Sequence, residues 1–268
     1  MKRILSLLLA IGLVGGASLV AQETKKAPAK KPAAPAVKQP ADVAAPKLGP
    51  DGKPQAGFLK SHESFVEIAK KGEAQVVFLG DSITAGWARQ AAIFDKEFGQ
   101  YKAANFGIGG DRTEHVLWRL EHGNFDGLKP KAIVLMIGTN NTGHQGRPQK
   151  ELDGAVYQCT AEQTAEGVKA ILAKLQQKCP DAKILVLAIF PRGANKEDKL
   201  RQQNEATNAI VKGFADAKKV FFLDVGAKFL EADGTLPKSI MPDLLHPNAQ
   251  GYQIWSDAIE AKVKELLK

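Results

Sequence analysis

Short apolar runs alternate along the chain with longer segments in which apolar residues recur at helical spacing. The runs carry little charge, and strands that are apolar throughout are usually buried on both faces of a sheet. They predict strands at 75–80, 103–107, 132–137, 184–190 and 219–224. Because such strands are typical of parallel sheets, we expect a mainly parallel sheet.

The segments between the runs predict helices. They lie near 85–99, 112–122, 160–178, 198–216 and 248–267. One face of the last segment is formed by apolar residues, namely Ile254, Trp255, Ile259, Val263 and Leu266. Strands alternating with helices predict an α/β sandwich, in which ligand sites form at the carboxyl ends of the strands.

Residues 1–21 have the pattern of a secretory signal peptide. Two basic residues follow the initial methionine, an apolar stretch runs through Ile4–Val14, and small residues continue to Ala21. An uncleaved membrane anchor is the alternative, but the paired glycines and the small residues favour cleavage. We therefore expect a mature chain that begins near Gln22, is exported to the periplasm or secreted, and has no stable membrane insertion after cleavage.

The segment that follows, 22–56, is rich in alanine, proline and lysine and contains no aromatic residue. Such a segment cannot bury enough apolar surface to offset the entropy lost on ordering. We expect a disordered, extended linker over 22–56. The remaining residues, 57–268, are enough for a single domain with a sizeable core.

The net charge of +8 is concentrated near the N-terminus. Residues 1–56 contain nine basic and three acidic residues, a net charge of +6, which leaves only +2 for residues 57–268. A nearly balanced domain does not favour a polyanion, so no nucleic-acid partner is predicted.

The sequence contains two cysteines, Cys159 and Cys179, and the segment between them predicts one helix over 160–178. A helix of this length spans about 27 Å. A disulfide requires Cα atoms within about 7 Å of each other. We therefore expect two free, structural thiols.

The first predicted strand runs into the stretch GDSIT, which begins at Gly80. Gly80 has no β carbon and permits a sharp turn, on which Ser82 can present its hydroxyl as a nucleophile at the edge of the sheet. A helix N-cap is the alternative, because aspartate and serine both cap helices well. Thr84 stands where the G-x-S-x-G elbow of the α/β-hydrolases has its last glycine, which disfavours that fold.

The second predicted strand is followed by the glycines of NFGIGG. Gly107, Gly109 and Gly110 permit close backbone approach to a ligand, and their N–H groups can face an anion. A turn or a phosphate loop is the alternative. A dinucleotide site is disfavoured, because Arg112 stands where the G-x-G-x-x-G fingerprint has its last glycine.

Two later blocks add polar groups with catalytic potential. In GTNN, after the third strand, the amide of Asn140 or Asn141 can donate to a developing oxyanion, with a polar turn as the alternative. In DLLHPN, Asp243 precedes His246 by three residues. A carboxylate that binds one imidazole nitrogen and directs the other toward a hydroxyl supplies the base and the orienter of a triad, with a helix cap or a surface pair as the alternative.

The order of the four blocks GDSIT, NFGIGG, GTNN and DLLHPN resembles the GDSL/SGNH hydrolase family. Within it, NFGIGGDRTEHVLWRL and IFPRGANKEDKLRQQN are closest to the catalytic subunits of platelet-activating factor acetylhydrolase. The resemblance spans roughly residues 57–268. It implies a flavodoxin-like, three-layer α/β/α sandwich with a mainly parallel five-stranded sheet, no cofactor and a homodimer.

The resemblance also implies a catalytic triad and an oxyanion hole. Ser82 is the nucleophile, His246 the general base and Asp243 its orienter. The oxyanion hole consists of the backbone N–H groups of Ser82 and Gly110 and the side chain of Asn140.

Two further expectations concern the rest of the site. The resemblance implies that Asp81 braces the turn and does not react. No metal is predicted, because the histidines show neither an H-E-x-x-H motif nor a paired-ligand spacing. They lie at positions 62, 115, 122, 144 and 246.

The loop 142–159, which begins beside Asn140, is longer than we expect in the closest relatives. Most of its side chains are polar, so it supplies little of the apolar surface that a long acyl chain requires, at about 0.8 kcal/mol per CH₂. We therefore expect a serine esterase for acetyl or similarly short esters, with acetylated carbohydrate as the favoured substrate. A lipid esterase of the lysophospholipase or thioesterase type, and a binding protein on the same fold, are the alternatives.

Overall fold

The computed structural model of the protein describes residues 40–149 and 154–268. Its five strands form one parallel sheet in the order β2-β1-β3-β4-β5. The strands are β1 (Val76–Gly80), β2 (Ala104–Gly107), β3 (Ala132–Met136), β4 (Lys183–Leu187) and β5 (Val220–Leu223). The predicted five-stranded parallel sheet is confirmed, although the strand expected over 184–190 ends at Leu187.

Eight α-helices lie in the described parts of the chain. They are α1 (Ala56–Lys71), α2 (Ser82–Ala85), α3 (Ala91–Phe98), α4 (Thr113–Glu121), α5 (Thr139–Gly143), α6 (Ala161–Lys178), α7 (Lys199–Lys212) and α8 (Ala249–Leu266). The single helix expected over 85–99 is instead a 3₁₀ helix, Gly86–Gln90, followed by α3. The helix α1 was not predicted. It buries Phe58, His62 and Ala69 at helical spacing and ends at Gly72, whose positive φ of 66° suits a residue without a side chain.

Alternate residues along each strand enter different apolar layers. In β1, Val77 and Leu79 pack with α1, α4, α6 and α7 on one face of the sheet. Val76 and Phe78 pack with α3 and α8 on the other face. The predicted three-layer α/β/α sandwich is therefore confirmed, and the carboxyl ends of its parallel strands share one edge.

Residues 40–55, here called the N-terminal strap, pack against the domain. Ala41 is buried, its carbonyl accepts a hydrogen bond from Thr113 Oγ1 at 2.8 Å, and the Ala45 N–H donates to the Glu114 carbonyl at 3.1 Å. A β carbon at Gly167 would lie 2.5 Å from the Ala41 carbonyl oxygen, so this glycine provides the room for the strap. The disordered linker expected over 22–56 is therefore wrong for residues 40–56, because backbone hydrogen bonds and close approach replace large apolar side chains there.

Residues 1–39, with the expected signal peptide and the rest of the expected linker, lie outside the described residues. Across 40–149 and 154–268, no helix has both the length and the apolar character needed to cross a membrane. Cys159 and Cys179, one at each end of α6, are buried and free, as predicted.

Candidate active site

The serine of GDSIT lies at the first position of α2, directly after β1. Asp81 caps this helix, since its Oδ1 accepts a hydrogen bond from the Ile83 N–H at 2.9 Å. The hydroxyl of Ser82 lies instead 2.8 Å from His246 Nε2. The two interpretations of the sequence thus apply to different residues: Asp81 is the cap, and Ser82 presents its hydroxyl.

Close packing fixes the position of α2. A β carbon at Gly80 would lie 2.2 Å from Thr84 Oγ1 and 2.3 Å from the Met136 carbonyl oxygen. Gly80 ends β1 and is not among the glycines with positive φ, so the turn depends on space at this position and not on an unusual backbone conformation. From α8, the Tyr252 hydroxyl donates to the Ile83 carbonyl at 2.5 Å, which ties the serine helix to the last helix.

Asp243 and His246 lie in the loop before α8, where the Asp243 carboxylate takes part in three hydrogen bonds, two of them with His246. His246 Nδ1 lies 2.7 Å from Asp243 Oδ2, while Asp243 Oδ1 accepts from the backbone N–H groups of His246 and Leu245 at 2.7 and 3.1 Å. A proton on Nδ1 satisfies the carboxylate and leaves Nε2 to accept the hydrogen bond from Ser82. The carboxylate therefore sets the orientation and the tautomer of the imidazole.

The environments of the two aspartates differ. Desolvation favours a higher pKa for Asp243, but the hydrogen bonds from the His246 ring and backbone outweigh it and hold the pKa below its usual value. Burial raises the pKa of Asp81 to about 7, against the lowering effect of the hydrogen bond from Ile83. Asp243 is thus a carboxylate at neutral pH, whereas the buried Asp81 is only partly ionised there.

The oxyanion donors expected from NFGIGG and GTNN follow β2 and β3, the two strands that flank β1 in the sheet. A β carbon on Gly109 would be 3.8 Å from Ser82 Cβ, so this glycine loop passes beside the serine. Gly110 has a φ of 75°, a conformation that favours glycine. Asn140, in α5, donates from Nδ2 to the Asp111 carbonyl at 2.9 Å, which fixes the plane of its amide beside the same loop.

Asn141, the other asparagine considered, is fully buried away from this loop edge. Its Nδ2 donates to Thr113 Oγ1 at 2.9 Å and to the Tyr157 hydroxyl at 3.1 Å, and its Oδ1 accepts from the Thr113 N–H at 3.1 Å. The structure therefore separates a structural asparagine at 141 from a half-buried one at 140.

A buried ionic cluster behind the glycine loop was missed in the sequence. Asp111 Oδ1 lies 2.6 Å from Lys47 Nζ, and Asp111 Oδ2 lies 3.0 Å from Arg119 Nε. Arg119 also donates to the carbonyls of Phe106 and Gly80, at 2.9 and 3.3 Å. The cluster thus connects the strap, the glycine loop and the ends of β1 and β2.

A polar cavity of about 210 Å³ adjoins this loop. Arg112 lies in its wall, donates to Gln149 Oε1 at 3.0 Å and lies 3.1 Å from His144 Nδ1. Burial and the charge of Arg112 lower the pKa of His144 to about 4, so this imidazole is neutral at pH 7. The cavity is lined by Lys47, Leu48, Gln55, Gly109, Gly110, Arg112, His115, His144 and Gln149.

The start of the loop 142–159 lies beside this cavity, as its position after Asn140 predicts. His144 and Gln149 belong to it, whereas residues 150–153 lie outside the described residues. Within 40–149 and 154–268 no group of three or more histidine, cysteine, aspartate or glutamate side chains is placed to bind a metal ion.

A serine hydroxyl, an oriented imidazole and a loop of backbone donors at one sheet edge are the parts of an acyl-transfer site. Residues 78–254 match the model of the GDSL-like lipase/acylhydrolase family, and the chain belongs to this family. The expected family resemblance is confirmed, and the class of protein is an ester-hydrolysing enzyme.

Two relatives are platelet-activating factor acetylhydrolase subunits. The IB subunit alpha1 from Homo sapiens is 36% identical over 211 residues, which cover 78% of this chain and 84% of that protein. The IB subunit alpha2 from Gallus gallus is 35% identical over 227 residues, which cover 84% of this chain and 92% of that protein.

Two solved structures share the fold. A GDSL-like lipase from Bacteroides thetaiotaomicron superposes with a TM-score of 0.61 at 20% identity, covering 78% of this chain and 98% of that chain. An acetylxylan esterase from Geobacillus stearothermophilus superposes with a TM-score of 0.56 at 20% identity, covering 74% of this chain and 96% of that chain.

Proposed function

We propose that this protein is a serine esterase that removes acetyl or similarly short acyl groups from polar alcohols, with acetylated carbohydrate as the favoured substrate. The observation that carries the proposal is the continuous hydrogen-bonded chain from Ser82 Oγ through His246 to Asp243, with separations of 2.8 and 2.7 Å. An ordered chain of this kind activates a hydroxyl for attack on a carbonyl carbon.

The reaction proceeds through an acyl-enzyme. His246 Nε2 takes the Ser82 proton as Oγ attacks the ester carbonyl, and the N–H groups of Ser82 and Gly110 and the amide of Asn140 donate to the oxyanion. Collapse of the tetrahedral intermediate expels the alcohol, which receives the proton from His246. Water then attacks the acyl-enzyme by the same route and releases the acid.

The polar cavity beside Gly110 supports the choice of substrate. Its lining includes Gln149 and a neutral His144, both within hydrogen-bond distance of the buried Arg112, and these polar side chains suit a substrate that carries hydroxyls. It offers little apolar surface, so a long acyl chain would regain only part of the roughly 0.8 kcal/mol per CH₂ that burial provides. The names of the relatives, an acetylhydrolase and an acetylxylan esterase, also specify acetyl groups.

We expect kcat/KM to be highest for the C2 to C4 members of a p-nitrophenyl ester series from C2 to C12. The physical reason is that added methylenes gain little free energy from a site with so little apolar surface. The control is the spontaneous hydrolysis of each ester, subtracted at the same pH. A maximum at C8 or beyond would reject the short-acyl proposal and favour a lipid esterase. A second assay tests which alcohol the ester contains. It compares the release of acetate from acetylated xylooligosaccharides with the release of fatty acid from lysophospholipid.

We also propose that the protein is exported. The basic start, the apolar stretch Ile4–Val14 and the small residues up to Ala21 support this proposal. N-terminal sequencing of native protein is expected to find a start near Gln22. A start at Met1 in a membrane fraction would mean that the segment remains as an anchor.

A further inference from the structure

We propose that Lys47 is a positioning residue for the oxyanion hole: it holds the peptide between Gly109 and Gly110 so that the Gly110 N–H faces the reacting carbonyl. The proposal rests on the oxyanion role proposed above for Gly110. Lys47 belongs to the strap and lies outside the 78–254 segment that matches the family model.

The contact that carries the inference is a hydrogen bond to one particular peptide. Lys47 Nζ donates to the Gly109 carbonyl at 2.6 Å. That carbonyl and the Gly110 N–H belong to the same peptide unit, which is planar and trans, so the two groups point in opposite directions. An ammonium that fixes the carbonyl on one side therefore fixes the direction of the N–H on the other. Charge assistance also polarises the peptide and strengthens its N–H as a donor.

The peptide needs such a restraint because its own residues supply none. Gly109 and Gly110 have no side chains to pack, and the φ of 75° at Gly110 is one of several conformations open to glycine. The neighbouring backbone bonds, Ile108 N–H to the Gly80 carbonyl and Asp111 N–H to the Ile108 carbonyl, involve other peptides. Reorientation of the 109–110 peptide would turn the donor away from the substrate.

Lys47 is itself held firmly. Its Nζ is paired with Asp111 Oδ1 at 2.6 Å, its side chain is 11% exposed, and it lies 5.4 Å from the centre of the Phe58 ring. Asp111 is paired in turn with Arg119, which donates to the carbonyls of Phe106 in β2 and of Gly80 at the end of β1. Through these contacts, the peptide between Gly109 and Gly110 is connected to the same sheet that positions Ser82.

Asp111 also binds the side-chain amide of Asn140, the other oxyanion donor proposed outside the serine helix. Its backbone carbonyl accepts from Asn140 Nδ2 at 2.9 Å, while its carboxylate binds Lys47. The strap, through one lysine, therefore stabilises a loop that sets the orientation of both the Gly110 N–H and the Asn140 amide.

The test compares Lys47→Met and Lys47→Arg with Lys53→Met, a matched change at an exposed lysine of the same strap. In Lys47→Met we expect kcat for p-nitrophenyl acetate to fall about 10- to 100-fold, a part of the 10²–10³-fold that loss of an oxyanion donor costs. KM should stay within about twofold, because the donor acts mainly on the transition state. Lys47→Arg should recover most of kcat, and Lys53→Met should match the wild type.

Lys47→Met leaves the buried Asp111–Arg119 pair balanced in charge, so the fold should persist; circular dichroism and the melting temperature check this. If the methionine variant does not fold, Lys47→Gln carries the same test, with a neutral amide in place of the ammonium. Wild-type kcat in a folded Lys47→Met or Lys47→Gln protein overturns the proposal. So does an equal loss in Lys53→Met. Ester turnover that survives in Ser82→Ala would instead reject the proposed function, and the two failures are therefore distinguishable.

Discussion

Replacing Ser82 by alanine is expected to reduce kcat for p-nitrophenyl acetate by about 10⁴-fold or more, while leaving the fold intact. The hydroxyl is the atom that forms the acyl-enzyme, and it lies 2.8 Å from the base that would remove its proton. Alanine keeps the short helix α2, because the cap is provided by the Asp81 carboxylate and the anchor by the Tyr252 hydroxyl. The residual turnover of Ser82→Ala should be the slow attack of water on the ester that the oxyanion donors promote without the serine.

The matched control is Ser64→Ala, which removes an exposed hydroxyl from α1 that donates to the nearby Ser61 carbonyl. Turnover of this variant should equal that of the wild type. A serine-reactive phosphonate should label the wild type at Ser82, identified by peptide mass spectrometry, and should not label Ser82→Ala. Labelling at another position, or retention of turnover without Ser82, would contradict the proposed mechanism.

Replacing Asp243 by asparagine is expected to lower kcat by about 10²–10⁴-fold. An asparagine amide that donates to Nδ1 would place the proton on Nε2, where it blocks acceptance from Ser82. The wide range reflects the position of Asp243, whose side chain is 57% exposed, so that water can take over part of the stabilisation of the imidazolium. Steady-state kinetics with p-nitrophenyl acetate measure the change in kcat.

Asp233→Asn is the control for this change. Asp233 is another exposed aspartate whose Oδ1 accepts from a backbone N–H two residues later, at 2.8 Å, just as Asp243 accepts from Leu245. It lies in a different loop and does not bond to His246. Near-normal turnover in a folded Asp243→Asn protein would remove Asp243 from the triad, and a comparable loss in Asp233→Asn would point to a general effect of the substitution.

Much of the fold was predictable because each strand is a short run that is apolar on both faces. The strand pattern also indicated where the site lies. GDSIT and GTNN follow strands and DLLHPN precedes the last helix, and polar residues at the carboxyl ends of parallel strands meet at one edge of the sheet. The residues alone did not distinguish Asn140 from Asn141, and only the family resemblance singled out Asn140. The distinction depends on which of them turns toward Thr113 and Tyr157, and that is set by packing.

The strap was missed for a related reason. Composition measures how much apolar surface a segment can bury on average, and residues 40–55 bury little. Their docking depends on single contacts, such as Ala41 against the space left at Gly167 and Lys47 against Asp111. Neither partner is near in sequence, and a lysine in an alanine- and proline-rich segment is typical of solvent exposure. The Asp111 carboxylate and the Gly109 carbonyl stabilise the ammonium of Lys47 in the interior, and neither contact can be read from the composition of the segment.

The strap leaves the ribosome before any strand of the sheet, yet Lys47 bonds to residues 62 and 64 positions later in the chain. Contacts at such separations close large loops and form late, after local helices and neighbouring strands. The partners of Lys47 exist only once β1, β2 and α4 have come together. Although the strap is synthesised before the sheet, we expect Lys47 to dock only after these elements have assembled, so that the peptide between Gly109 and Gly110 is restrained later than this part of the sheet is formed.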